Sequence, residues 1–293
     1  ICQDLVTFDP CRKSRIFTSC MLKFGACWKM AGGTPMSKNE RLALEFGATV
    51  IPHAVFLGVF LGLWEYAVRV GWLDSIFFGQ PSGIASFLWA NLIQSASLWK
   101  EMGWTVFGTF SSFVLGSIAA ILTGLLFVMM PRLERFLDPY LTAFNAMPRI
   151  ALVPLFILWF GLGVASKIAI GVTLTFFIVL SSTIAGMRGL NQDHVVLTRT
   201  LGARPAQMFA YVTLPGAIPV IFSGLRLGLL YAMLGVVGGE IIAAEHGLGQ
   251  SLAYLGSTFN MNGVMALLLI LSVLGMTVTG IMTYVEKRLL HWQ

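Results

Sequence analysis

The sequence predicts an all-α polytopic membrane protein, on three observations. Only 11% of its 293 residues are charged and 57% are hydrophobic, with a mean hydropathy of +0.81. A water-soluble domain carries roughly 25% charged residues, so most of this chain must face lipid or other buried helices. Apolar runs recur at the length, about 20 residues, that crosses the hydrocarbon core as a helix. The alternation of a membrane β-barrel is absent, and in lipid a helix satisfies its backbone within its own segment. About six spans are expected, over 46–70, 103–130, 139–160, 168–187, 216–242 and 263–285.

Residues 1–45 read as a cytoplasmic N-terminal segment. All four cysteines (Cys2, Cys11, Cys20, Cys27) lie here, at spacings that fit no usual zinc pattern, and a cytoplasmic setting argues against disulfides. The chain opens on Ile1, while "MSKNERLALEFG" from Met36 reads as an ordinary lead into the first span, so residues 1–35 are expected to be an upstream extension. The first span, with an outer surface helix, occupies 46–102. Gly58 and Gly62 give it a small-xxx-small face, as do Gly224/Gly228 and Gly235/Gly239 farther on. In 71–102, Ile84, Phe87, Leu88, Leu92 and Ile93 recur near helical spacing, with Trp89 and Trp99 as interfacial aromatics, which predicts a helix lying on the outer face.

The core is expected over 103–287. After the second span, "PRLERFLDPY" reads as a short charged loop. The third span is broken by Pro148 and Pro154, with Arg149 between them. An arginine within a membrane segment tends to face protein or water; Arg149 either borders a permeation path or snorkels to the interface. "GLGVASK" at 161–167 lacks the spacing of a phosphate loop and reads as a helix connection. Glu240, near the outer end of the fifth span, either lines a pathway or is a hydrated interfacial carboxylate.

Between the fourth and fifth spans the chain reads "RGLNQDHVVLTRTLGARPAQMFAYVTLP". Asn191 or Asp193 can cap a short helix through about Leu201, which Gly202 breaks. Arg204 leads into Pro205, suited to the first turn of a second helix over 205–212, and Leu214-Pro215 is expected to end that helix and turn the chain back into the membrane. The result is a helix-break-helix elbow over 191–215, with exposed Leu and Phe beside Arg.

Charge sets the topology. One side carries Arg12, Lys13, Arg15, Lys23, Lys29, Lys38, Arg41, Arg132, Arg135, Arg188, Arg199, Arg204, Lys287 and Arg288; the other carries Arg69, Lys100 and Lys167. Fourteen against three places both termini and the elbow on the cytoplasmic side of the membrane. The net charge of +6 therefore reports topology and no nucleic-acid site. Four scattered histidines and thirteen carboxylates form no metal or catalytic constellation, so no enzyme, cofactor or metal is expected.

The glycine, nine residues, an aliphatic, one residue and Leu-Pro of Gly202, Val212, Leu214 and Pro215 resemble the "EAA" loop of permease subunits in bacterial ATP-binding-cassette (ABC) importers. "PRLERFLDPYL", "IALVPLFILWFG", "RTLGA", "LPGAIPVIFSGLRLGL" and "GEIIAA…GLGQ" are similar to the nitrate/sulfonate/taurine group. The resemblance implies a type I importer permease whose elbow (Arg199, Thr200, Leu201, Gly202, Ala203, Arg204, Val212, Leu214, Pro215) docks on a separate ATPase. It implies a second permease copy and a periplasmic or lipid-anchored solute-binding protein as partners. The solute would be a small anion or a vitamin precursor; Arg149 and Glu240, from their positions in the spans, are the candidate residues for its pathway. The triplet that names the loop falls on Val196, Leu197 and Thr198, so its glutamate is missing. The rival classes are a secondary transporter, which needs buried coupling-ion ligands and often internal repeats, and a membrane enzyme, which needs a convergent polar site.

Overall fold

The computed structural model describes residues 38–189, 192–242 and 245–289, and the side chains from 51 onward within those ranges except at 192, 193, 195, 199 and 205. The expectations for residues 1–35, the four cysteines, the capping by Asn191 or Asp193 and the side chain of Arg199 lie outside the described residues. Every regular element described is helical. By contacts the chain divides into 1–63 and 64–293. In the first unit the description begins with helix α1, Lys38–Arg69, whose apolar side chains such as Phe56 and Leu63 are exposed.

In the second unit a short helix, α2 (Ser75–Phe78), is capped by the Asp74 carboxylate, which accepts from Ile76 N–H at 2.9 Å. Helix α3 (Pro81–Trp89) continues into a π turn at Ala90–Gln94. A helix is therefore present over the expected stretch, and it is packed against the bundle along one side. Ile84 is buried and Phe87 and Leu92 sit against a core of Leu98, Leu248, Leu267 and Leu271, while Ile93, expected on the same face, points out. The widened turn at 90–94 is what rotates it away.

Three long helices form the centre: α4 (Ser97–Met129), α7 (Val164–Arg188) and α10 (Leu214–Ile242). They touch through small residues. A Cβ on Gly224 would meet Ser182 Cβ at 2.2 Å, one on Gly228 would meet Val179 Cγ2 at 2.6 Å, and one on Gly171 would meet Ser112 Oγ at 2.5 Å. Apolar side chains gain little over lipid tails, so close backbone approach supplies the packing. The Thr175 hydroxyl donates to Gly171 O at 2.8 Å and to Gly228 O across the interface at 3.2 Å.

The third span differs from expectation. "PRLERFLDPY" is not a loop: helix α5 runs Pro131–Ala146. Pro131 occupies the first helical position, where its missing N–H leaves nothing unsatisfied. Leu133, Leu137 and Leu141 recur every four residues on the half-buried side, and Leu141 packs on Ala120, Val179 and Leu180. A 3-10 turn, Arg149–Leu152, leads into α6, Val153–Phe160, and the two halves meet at 87°. Among the described residues five helices are long and apolar enough to cross a membrane, and the bent pair makes a sixth span if counted as one. Two more helices, α11 (Leu248–Ser257) and α12 (Met261–Leu289), complete the unit. Asn262 Oδ1 accepts from Gln80 N–H at 2.7 Å and so ties α12 to α3.

Candidate functional site

The elbow lies where α7 ends and α10 begins. Helix α8, Gln192–Thr200, stops at Gly202, whose φ of +77° is left-handed backbone that glycine adopts without penalty. Ala203 N–H then reaches back to Thr198 O at 3.2 Å and Leu201 N–H to Leu197 O at 3.1 Å, closing the helix end in the manner of a Schellman turn. Helix α9, Pro205–Met208, starts on the expected proline, and the Gln207 side chain accepts from Arg204 N–H at 2.9 Å.

Two expectations for the elbow are corrected. Leu214-Pro215 does not end the second helix or turn the chain. A π turn, Phe209–Thr213, carries α9 straight into α10, and one continuous helix spans Ala206–Ile242. Leu214 N–H donates to Phe209 O, five residues back. This wider turn gives room to the Pro215 ring, which in a regular helix would clash with the carbonyl four residues before it. The second correction concerns the exposed face. Leu197, Leu201 and Tyr211 are exposed, but Phe209 is turned inward onto the cluster of Met187, Ala217 and Ile221. Val212 and Leu214 are half-buried, and Thr200 bonds back to Leu197 O at 2.8 Å.

Arg149 stands at the bend of the third span. Its Nη2 donates to Asn145 Oδ1 and, at 3.3 Å, to Asn145 O, and its guanidinium lies 4.7 Å from the centre of the Phe177 ring. Phe177 is halfway along α7, so the charge sits far from either end of that helix. Its Nε is buried with no hydrogen-bond partner.

Glu240 lies at the end of the bundle away from the elbow and is 1% exposed, so it is no hydrated interfacial carboxylate. Thr105 Oγ1 donates to its carboxylate at 2.9 Å and Gly249 N–H donates at 3.0 Å. Lys167 Nζ stands 3.5 Å away and also donates to His246 O. Lys167, counted from sequence as an outer-loop charge, is itself 3% exposed. Leu248 N–H donates to Thr105 Oγ1 at 2.9 Å and Gly247 N–H to Glu101 Oε2 at 2.5 Å. Four consecutive residues of one turn, 246–249, are thus each gripped by a different side chain. The backbone must come this close: a Cβ on Gly247, whose φ is +122°, would fall 2.1 Å from Glu240 Oε1. Periodicity identified none of these partners, since Glu101 and Thr105 of α4, Lys167 of α7 and Glu240 of α10 come from three separate stretches. The glycine spacing "GLG" at 247–249 was the available signal.

Among the described residues no three His, Cys, Asp or Glu side chains are grouped to hold a metal ion. The sequence profile of the binding-protein-dependent transport system inner membrane component matches residues 112–291, more than half of the chain and the whole elbow. The chain is 36% identical to the formylaminopyrimidine transport permease protein of Halalkalibacterium halodurans, over 61% of this chain and 72% of that one. It is 29% identical to the riboflavin transport system permease protein of Chloroflexus aurantiacus, over 89% and 97% of the two chains. To the taurine transport system permease protein of Escherichia coli it is 28% identical, over 80% and 87%. Among solved structures, an inward facing form of the MetNI methionine ABC transporter superposes with a TM-score of 0.55 at 20% identity, covering 63% of this chain and 92% of that one, a likeness of fold alone. With the helix-break-helix elbow, the broken third span and the profile covering both α7 and α10, the chain belongs to the binding-protein-dependent transport inner membrane components and is a permease subunit of an ABC importer.

Proposed function

We propose that this permease carries a small solute inward in a homodimer, with ATP hydrolysed by separate subunits that dock on the elbow 191–215. The observation that carries the reading is the elbow itself. It joins α7 to α10, its exposed Leu197, Leu201 and Tyr211 offer apolar contact, and Phe209 packs on Met187, Ala217 and Ile221. A push on the elbow would therefore reach the close-packed centre through one rigid helix. The residues assigned to docking are Arg199, Thr200, Leu201, Gly202, Ala203, Arg204, Val212, Leu214 and Pro215.

Orientation follows from charge. With Lys167 buried, only Arg69 and Lys100 oppose the fourteen basic residues of the elbow side, so the elbow and both termini face the cytoplasm. The solute delivered by an extracytoplasmic binding protein is a sulfonate-, taurine- or nitrate-like anion, or a vitamin precursor of the kind named for the relatives. Arg149 is assigned to its path. A guanidinium midway along α7, stacked on Phe177 and with Nε unpartnered, suits an anionic or planar solute passing the bend. Glu240, enclosed by Thr105, Gly249 and Lys167, is assigned to control of the outer end of that path and does not line it.

The test is reconstitution. The permease is co-expressed with candidate Walker-motif ATPases from its own organism, and the pair that forms is placed in liposomes with a candidate solute-binding protein. Co-purification and ATP-dependent uptake are expected. Uptake by the permease alone, with no ATPase present, would sink the reading.

A further inference from the structure

The buried ion pair at the end away from the elbow exceeds what the fold requires. Helix α11 needs its first free N–H groups satisfied, and a serine or asparagine before it does that with no charge. Here Glu240 and Thr105, from α10 and α4, cap it instead, and Lys167 of α7 is buried beside them. Two charges removed from water cost more than their attraction returns unless the geometry is close, and apolar residues often serve a core as well. The geometry is not close. Lys167 Nζ stands 3.5 Å from Glu240 Oε1, longer than the charge-assisted bonds of about 2.7–2.9 Å, and divides its donors between that carboxylate and the His246 carbonyl. A pair so placed holds, but it can be exchanged.

What it holds is a junction between two layers. On one side are α4, α7 and α10, close-packed through glycines along their length. On the other are α3, α11 and α12, joined by Leu248, Leu267 and Leu271 and by the Gln80–Asn262 bond, with Leu98 of α4 in the same apolar cluster, so that the layers also touch there. The turn 246–249 leads from α10 into α11, and Lys167, Glu101, Thr105 and Glu240 all grip it.

We propose that Lys167 and Glu240, with Thr105, are positioning residues for transport: a latch that keeps the two layers joined at the outer end in the resting permease and parts when that end opens. The proposal rests on the reading that this end faces away from the ATPases. It has Glu240 act through the turn 246–249.

The test uses the full complex of permease, ATPase and binding protein in nanodiscs. In the double variant Lys167→Met/Glu240→Gln both charges are gone while an oxygen remains to accept from Thr105 and Gly249. Its melting temperature is expected to stay near that of the wild type. ATP hydrolysis without binding protein is expected to rise several-fold, and solute uptake per ATP to fall about tenfold. Thr105→Val, which keeps both charges and removes the hydroxyl between Glu240 and Leu248 N–H, is expected to move basal hydrolysis in the same direction, and it serves as the test if the double variant does not fold. Amide exchange across 245–252 should quicken when the complex is trapped with ATP and vanadate. Wild-type basal hydrolysis and uptake in the variants, or unchanged exchange on trapping, overturns the latch. A wild-type complex whose hydrolysis no binding protein stimulates overturns the transport reading, and the latch with it.

Discussion

At Gly202 the constraint on the elbow is carried by backbone alone. Its φ is +77° and a Cβ there would meet nothing within 4 Å, so a side chain is refused by conformation and not by space. The left-handed region costs an ordinary residue about 1–2 kcal/mol and a β-branched one more, enough to unwind the short α8 end without touching the bundle. Gly202→Val is expected to insert in the membrane at wild-type yield while solute-stimulated ATP hydrolysis falls at least tenfold; Gly202→Asn, which tolerates this backbone, should keep most of it. Stimulated hydrolysis unchanged in Gly202→Val would remove the elbow from the docking role. Arg149 makes a different claim. Lysine retains the charge but not the planar stack on Phe177. Arg149→Lys is therefore expected to raise the solute concentration for half-maximal uptake about tenfold, with hydrolysis in the absence of solute unaltered. Equal half-saturation in the two proteins would return Arg149 to a plain anchoring role.

The helices themselves are held by different means along their length, and substitution should expose this. Where α7 meets α4 and α10, a side chain at Gly171 of α7 would strike Ser112 and Val236, whereas Gly103, within α4, has open space. Gly171→Leu is expected to destabilise by more than the 1–3 kcal/mol of ordinary overpacking, because Ser112 Cβ, which would lie 2.6 Å from the new Cβ, is bonded to the α4 backbone and cannot turn aside by changing rotamer. Gly103→Ala should leave stability equal or slightly improved, since alanine is the better helix former. Melting of the detergent-solubilised protein followed by tryptophan fluorescence separates the two, and similar melting would mean the centre is more loosely packed than these distances say. The same contrast explains what was legible in the sequence. Gly224, Gly228 and Gly235 lie at spacings that announce a close-packed face, and Gly202 with Pro205 announces a break, because both signals are local. Pro215 misled for a reason that is also physical: a proline ends a helix only if the turn before it is a regular one, and the π turn at Phe209–Thr213 is a backbone property with no residue signature. The latch was illegible because its charges are distant in sequence. Lys167 looked like a loop cation from its position alone, and only the fold brings it to Glu240. "PRLERFLDPY" was charged enough to resemble a loop, yet its four-residue leucine stripe was there to be read.

At the scale of the whole molecule, the chain presents far more apolar surface than one copy can hide. Leu158, Trp159, Val273 and Met276 are each more than 60% exposed, on segments that otherwise pass for membrane spans. Lipid covers such residues without penalty, so exposure alone does not count copies. The proposed docking would: one copy offers one elbow, and two ATPases driven alike would need one apiece, which a two-fold pair of identical permeases would supply with a single gene product. The complex assembled from this permease and its ATPase is therefore expected to contain two of each, and native mass spectrometry of the complex in nanodiscs reads the number directly. Cross-linking a cysteine placed at exposed Leu201 to the ATPase should deplete uncross-linked permease nearly completely if both copies dock alike, and by about half if only one does. A mass showing one permease against two ATPases, or a second and different permease chain in the complex, would overturn the homodimer. In that heterodimeric case the missing EAA glutamate, replaced here by the Val196–Leu197–Thr198 triplet, would be expected on the partner chain.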